Sequence, residues 1–188
     1  MKSCAFFGHK NGTYMKYEEY IGVLVAEMIE EWGYTQFYST GRSPFDCICA
    51  RTVSHYREQY PLKNTFVYSY IPKGKDEYGL SKIYDDSVYF LEKPVPPRFA
   101  IIKTNEAIID HVDTVLVAVD RDWGGAWNAM EYARRKKKKI INIYDGYTKE
   151  WDEHMATARW FRKIAGLPDP EEEERQKIEK LLKKISGR

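Results

Sequence analysis

Residues 114–131 read TVLVAVDRDWGGAWNAME, and no other stretch narrows the possible folds as tightly. Residues 114–119 are an unbroken apolar run rich in β-branched side chains, the pattern of a strand buried on both faces of a parallel sheet. The run stops at Asp120, and Gly124 and Gly125 follow at once. Residues 126–137 are then rich in helix formers. Strand, glycine turn and helix in that order place unpaired backbone N–H groups at a helix start, beside a surface that lets a ligand approach closely. Such a turn suits an anionic group, usually a phosphate. A Gly-Gly turn that merely ends a strand is the plainer alternative.

The rest of the chain repeats the alternation. Residues 3–7 form an expected first strand ending in Gly8-His9-Lys10. Ile21, Leu24, Val25, Met28 and Trp32 recur at helical spacing, with Gly33 as the stop. A second strand spans 34–38 and is followed by Ser39-Thr40-Gly41; a helix from Phe45-Asp46 reaches about Glu58. A third strand spans 65–71, a helix spans 99–112, and 139–144 is a fifth strand after the organising one. Residues 72–97, with their glycines, prolines and charges, read as a long surface excursion. Strands alternating with helices imply a parallel sheet covered on both faces. The expected fold is a Rossmann-like three-layer α/β domain over residues 1–146, with a mostly parallel sheet of five or slightly more strands. In residues 147–188, Trp151, Met155, Ala158, Phe161 and Ile164 form one apolar stripe, and Asp169-Pro170-Glu171 starts a second helix well. This helical extension is expected to pack on the body or on a sister subunit, with a homodimer as the expected assembly.

Composition excludes more than it selects. Lys and Arg number 30 against 28 Asp and Glu, a formal charge of +2, so no overall electrostatic footprint points to nucleic acid or membrane. The three cysteines cannot all pair, and Cys47-x-Cys49 lacks zinc-site spacing. The four histidines are scattered, so no metal site and no cofactor are expected. Nothing resembles a signal peptide or a spanning segment, and the cytoplasm is the expected setting.

In an open parallel sheet, ligands bind beyond the carboxyl ends of the strands, near the switch in strand order. Three expected strand ends carry glycine turns: Gly8-His9-Lys10, Ser39-Thr40-Gly41, and the bend from Asp120 to Gly125. If the strands order in Rossmann fashion, these turns converge on one pocket.

At this point the opening Cys4-Ala5-Phe6-Phe7-Gly8-His9-Lys10, the turn from Gly41 to Asp46, and the stretch from Asn105 through Tyr132 together resemble the SLOG superfamily, in particular its YpsA-like group of small bacterial and phage proteins. The likeness covers roughly residues 1–145. In GGAWNAMEYA, Gly124, Gly125 and Glu131 keep the spacing of the Gly-Gly pair and glutamate of the related lonely-guy phosphoribohydrolases. The resemblance implies a Rossmann-like fold that binds nucleotides or nucleotide-derived molecules at the three turns. It also marks departures: Thr104 stands where the hydrolases carry an arginine, beside a retained Asn105, with Lys103 or Arg98 as the nearest substitutes. Pro44 replaces a small residue, Asn128 a threonine, and Trp127 a glycine, so that Trp127 either narrows the turn or offers a base an aromatic face.

The expected ligand residues are Gly8, His9, Lys10, Ser39, Thr40, Gly41, Asp46, Asn105, Asp120, Gly124, Gly125, Trp127 and Asn128, with Glu131 as the candidate catalytic carboxylate. Plainer readings stand beside several of them. Glu131 also fits a solvated pair with Arg134 or Arg135, Asp46 a helix cap, and His9 and Lys10 ordinary loop residues. Asp120 and Asp122 also suit a magnesium–phosphate pair. The basic run 134–139 fits a helix C-terminus favoured by the dipole. Three functions follow. The first is a sensor or sequestering protein for a nucleotide-derived small molecule. The second is a nucleoside-monophosphate phosphoribohydrolase using Glu131, whose carboxylate would stabilise positive charge on the ribose. The third is single-strand DNA handling, as in the DNA-processing members of the superfamily, which the near-zero charge disfavours.

Overall fold

The structure, a computed structural model, describes residues 1–70, 82–93 and 95–146. The expected C-terminal helices and part of the surface excursion lie outside these residues. Six strands, all parallel, form one sheet in the order β4-β3-β2-β1-β5-β6: β1 Lys2–Gly8, β2 Tyr34–Ser39, β3 Lys63–Val67, β4 Asp86–Val88, β5 Thr114–Ala118 and β6 Lys139–Asn142. Among the described residues five α-helices accompany them, α1 Glu18–Glu30, α2 Pro44–Tyr56, α3 Pro97–His111, α4 Gly125–Arg135 and the single turn α5 Ile143–Gly146, with a 3-10 turn at Met15–Tyr17 leading into α1.

Side-chain alternation along the central strands explains the three layers. Cys4 and Phe6 of β1 join Leu116 and Ala118 of β5 in a core with the apolar faces of α1 and α2. Ala5 and Phe7 join Val115 and Val117 in a second core, closed by Ile108 and Ile109 of α3 and by Ala126, Ala129, Met130 and Ala133 of α4. A strand with apolar side chains on both faces is stable only between two such layers. On the first side the Phe6 and Phe37 rings stack 5.8 Å apart, linking β1 to β2.

The helix ends follow local chemistry. Glu18 and Glu19 sit in the first turn of α1, and Gly33 takes a φ of +69° just beyond its end. Ser43 caps α2 by accepting from Asp46 N at 3.0 Å, with Pro44 at the first helical position.

One strand lies inside the stretch expected to be an excursion. β4 has three residues, two of them exposed, and a sequence of Asp-Ser-Val with none of the usual strand signal. Long-range bonds hold it in place. Asn64 N donates to Asp85 Oδ2 at 2.9 Å, and Asp85 N returns a bond to Asn64 O at 2.8 Å. Lys63 reaches Asp86 at 2.8 Å. A short, charged edge strand also discourages pairing with another chain.

Chain order gives the sheet its switch point. β1 lies between β2 and β5, so the chain builds outward to one side from β1 and then returns to the other flank. The carboxyl ends of β1, β2 and β5 therefore meet at one edge, where a doubly wound sheet leaves a crevice.

Candidate functional site at the carboxyl edge of the sheet

A cavity of about 570 Å³ opens at that edge. Three bends line it: Gly8, His9, Lys10 and Asn11 after β1; Thr40, Arg42 and Asp46 after β2; and Arg121, Trp123, Gly124, Gly125 and Ala126 after β5. Ile101 and Asn105 of α3 and Phe7 complete the walls. A smaller cavity of about 220 Å³ adjoins it and shares Ile101, Asn105 and Gly125.

The bend after β5 presents an open helix start. Gly124, the residue before α4, has a φ of +96°, a conformation that L side chains rarely adopt, and no side chain caps the helix. A Cβ on Gly124 would lie 3.4 Å from Nδ1 of His9, whereas one on Gly125 would meet nothing within 4 Å. The first turn of any α-helix has amides without intrahelical partners, and they carry the positive end of the macrodipole. Here they adjoin a cavity.

His9 is 4% exposed. Its backbone is fixed by Tyr14, whose hydroxyl accepts from His9 N at 2.8 Å. Its Nε2 is buried and has no hydrogen-bond partner among the described residues. The nearest acid, Asp120, stands 3.6 Å away, beyond hydrogen-bonding range. Burial, reinforced by Arg121, holds His9 below the usual imidazole range against the opposing pull of Asp120. A neutral imidazole at an anion site can donate one hydrogen bond without a buried charge.

The bend after β2 is closed on itself. Asp46 is 2% exposed. Its carboxylate accepts from Gly8 N at 3.1 Å, from Arg42 N at 3.3 Å and from Thr40 Oγ1 at 3.3 Å. Ser43 Oγ donates a fourth bond. Burial pushes the carboxyl up to about 6, outweighing these bonds, of which that from Ser43 is the strongest. Asp46 touches the cavity but spends its acceptors on the protein; Ser43, not Asp46, caps α2, and Asp46 ties the end of β1 to the bend after β2.

Other expected site residues lie elsewhere. Ser39 is buried, and its hydroxyl pairs with Tyr84 Oη at 2.7 Å. Gly41 serves the turn itself, with a φ of +61°. Asp120 flanks His9 without lining the cavity. Trp127 packs against the α3–α4 core, because the first turn of α4 rotates it away from the opening. Asn128 and Glu131, one and two turns along α4, line only the smaller cavity, where Glu131 pairs with Arg134. Thr104 is fully buried and lines neither cavity. Neither proposed substitute reaches the site: Arg98 lies over Phe99, and Lys103 pairs with Glu106 at 2.6 Å. Alongside the apolar Phe7, Ile101 and Ala126, the polar and aromatic lining residues outside the expected set are Asn11, Arg42, Arg121 and Trp123. Their signal was adjacency to the glycine turns, which a motif-centred reading discounts.

Among the described residues no group of three or more His, Cys, Asp or Glu is placed to hold a metal ion. No helix among them is long and apolar enough to cross a membrane.

Comparison with solved structures returns the same architecture. DNA processing protein A (DprA) from Streptococcus pneumoniae superposes with a TM-score of 0.58 at 13% identity, covering 74% of this chain and 49% of that one. This chain has the Rossmann-like fold seen in DprA. The DprA from Helicobacter pylori, described for its single-stranded DNA binding mode, superposes with a TM-score of 0.55 at 13% identity, covering 79% of this chain and 72% of that one. The chain thus spans about half the length of the pneumococcal DprA. No family model and no curated protein matches the sequence.

Proposed function

We propose that this protein binds a phosphorylated, nucleotide-derived small molecule at the carboxyl edge of its sheet, acting as a sensor or sequestering protein. One observation carries the reading: the uncapped start of α4 at Gly124 and Gly125 borders a cavity lined by His9, whose buried Nε2 has no hydrogen-bond partner among the described residues. Amides at a helix start favour an anion, and a neutral imidazole supplies a further donor. Lys10, Arg42 and Arg121 on the same walls add positive charge, while Asp46, the one lining acid among the described residues, is engaged internally. A cavity of this size suits a nucleotide-sized ligand. Membership of the SLOG superfamily is part of the proposal; the sequence motifs and the likeness in fold to DprA support it.

The test is calorimetric titration of the full chain with ribose 5-phosphate, adenosine 5′-monophosphate (AMP) and adenosine. Binding of the two phosphorylated probes and not of adenosine is expected, and Gly125→Val should abolish it without lowering the melting temperature. Tighter binding of adenosine than of AMP would sink the reading.

A second reading is N-glycosidic hydrolysis by Glu131. The two cavities share Ile101, Asn105 and Gly125, so a ligand anchored in the larger one extends toward the smaller, which Glu131 lines. Incubation with nucleoside monophosphates and chromatography for free base tests it. Base release that disappears in Glu131→Gln would establish catalysis; no release in the wild type would leave binding alone.

A further inference from the structure

Two arginines on the cavity wall each lie against an exposed aromatic ring. The Arg121 guanidinium is 4.2 Å from the centre of the Trp123 ring, and that of Arg42 is 5.6 Å from the Tyr70 ring. Trp123 is 62% exposed and Tyr70 46% exposed, in a chain whose cores bury most of its large apolar side chains. Leaving most of an indole in water forgoes the free energy of burying it, so its position on the bend is not explained by packing. Trp123 immediately precedes Gly124. The backbone that aims amides at an anion therefore also sets the indole at the mouth of the cavity. Apolar Phe7, Ile101 and Ala126 on the walls leave room for more than a phosphate.

We infer that Trp123 is the specificity-determining residue of this site, a stacking face for the nucleobase of a nucleoside phosphate. The Arg121 guanidinium lies over one face of the indole, and its charge polarises the ring it covers. Tyr70 with Arg42 forms a second aromatic and cationic lip beside the bend after β2. The inference rests on the phosphate reading above and adds to it the class of ligand: a base-bearing nucleotide, in preference to a sugar phosphate or an inorganic anion. Stacking discriminates weakly among bases, because every base has a π-face, so purine and pyrimidine nucleotides should both bind.

The experiment is calorimetry on the full chain and two variants, with AMP, uridine 5′-monophosphate, ribose 5-phosphate and a six-residue oligodeoxythymidine as probes. In the wild type the mononucleotides should bind about 10- to 100-fold more tightly than ribose 5-phosphate, the range expected of one base stacked on one aromatic ring. Trp123→Ala should erase that advantage while leaving ribose 5-phosphate within about twofold. Trp123→Phe should keep most of it, and because it removes one of five tryptophans, it should also remove any fluorescence quenching by AMP. Trp123-dependent binding of the oligonucleotide without mononucleotide binding would support the stacking face and assign its source to a strand. Equal wild-type affinity for AMP and ribose 5-phosphate, or an equal loss of both in Trp123→Ala, would overturn the inference while leaving the phosphate site standing. Binding of none of the probes would overturn the phosphate reading and this inference together.

Discussion

Two bends share the cavity and are built on opposite plans. After β2, Ser43 caps the helix and Asp46 gathers four donors from the protein itself, including the Gly8 amide at the end of the neighbouring strand. After β5, no side chain caps the helix, a glycine with positive φ precedes it, and the space beside Gly125 is empty. Both are strand–turn–helix junctions at the same sheet edge. The first has satisfied its polar groups and holds the fold; the second leaves them for a partner. Polar groups left unpaired at a rigid junction cost stability, and the asymmetry supports the proposal that the bend after β5 is where the ligand binds.

The comparison breaks most readily at Asp46. Asp46→Ala strands two backbone amides and two hydroxyls in a buried site, and should lower unfolding stability by about 4 kcal/mol in urea titrations. A loss below about 1 kcal/mol would mean that the bend after β2 does not depend on its carboxylate.

Acid titration sharpens the same point. Burial raises the Asp46 carboxyl from 3.8 to about 6 in the folded protein. Between those values the native state holds the proton more tightly than the unfolded chain, so stability falls as pH rises through the window and levels off above it. The contribution of this group should fall by about 3 kcal/mol across that range. Asp46→Asn cannot titrate, and the difference between the wild-type and variant stability curves should carry this slope. A flat difference curve between pH 4 and 6.5 would contradict the assignment.

The glycines test both bends with one kind of substitution. Gly8→Ala would set a Cβ 2.5 Å from Phe45 Cβ and 2.8 Å from Ser43 Oγ, and should cost about 2 kcal/mol by overpacking β1 against α2. Gly124→Ala should cost about 1 kcal/mol, because its φ of +96° is unfavourable for alanine. Gly125→Ala meets no atom within 4 Å and should change stability by less than about 0.5 kcal/mol. Its effect should appear in ligand affinity, where the added methyl group stands at the open helix start. If Gly125→Ala destabilised the fold as much as Gly8→Ala, the contrast between the bends would fail.

Much of the architecture was legible because it rests on local periodicity. The continuous apolar run from Thr114 required cover on both faces, and both cores supply it. The helix expected from Phe45-Asp46 forms, beginning one residue earlier at Pro44 with Ser43 rather than Asp46 as its cap. β4 was not legible, since Asp86, Ser87 and Val88 become a strand only because Asn64 bonds to the neighbouring Asp85 and Lys63 to Asp86, from a strand more than 20 residues earlier in the chain. The tryptophans show the same limit at the site. Trp127 and Trp123 stand on either side of Gly124 and Gly125, and composition alone does not separate them. The direction of α4 turns Trp127 onto the second core and leaves Trp123 at the cavity mouth.

By itself, the sequence determined the alternation of strands and helices, the burial of the central strands and the places where the chain must bend, because these depend on spacing and on what glycine and proline permit within a few residues. Only the tertiary structure decided that Asp46 is consumed by its neighbours, that His9 Nε2 is buried without a hydrogen-bond partner among the described residues, and that Trp123 rather than Trp127 faces the opening. Each of those outcomes depends on how a helix is rotated against a sheet and on donors brought from distant strands, and packing sets both.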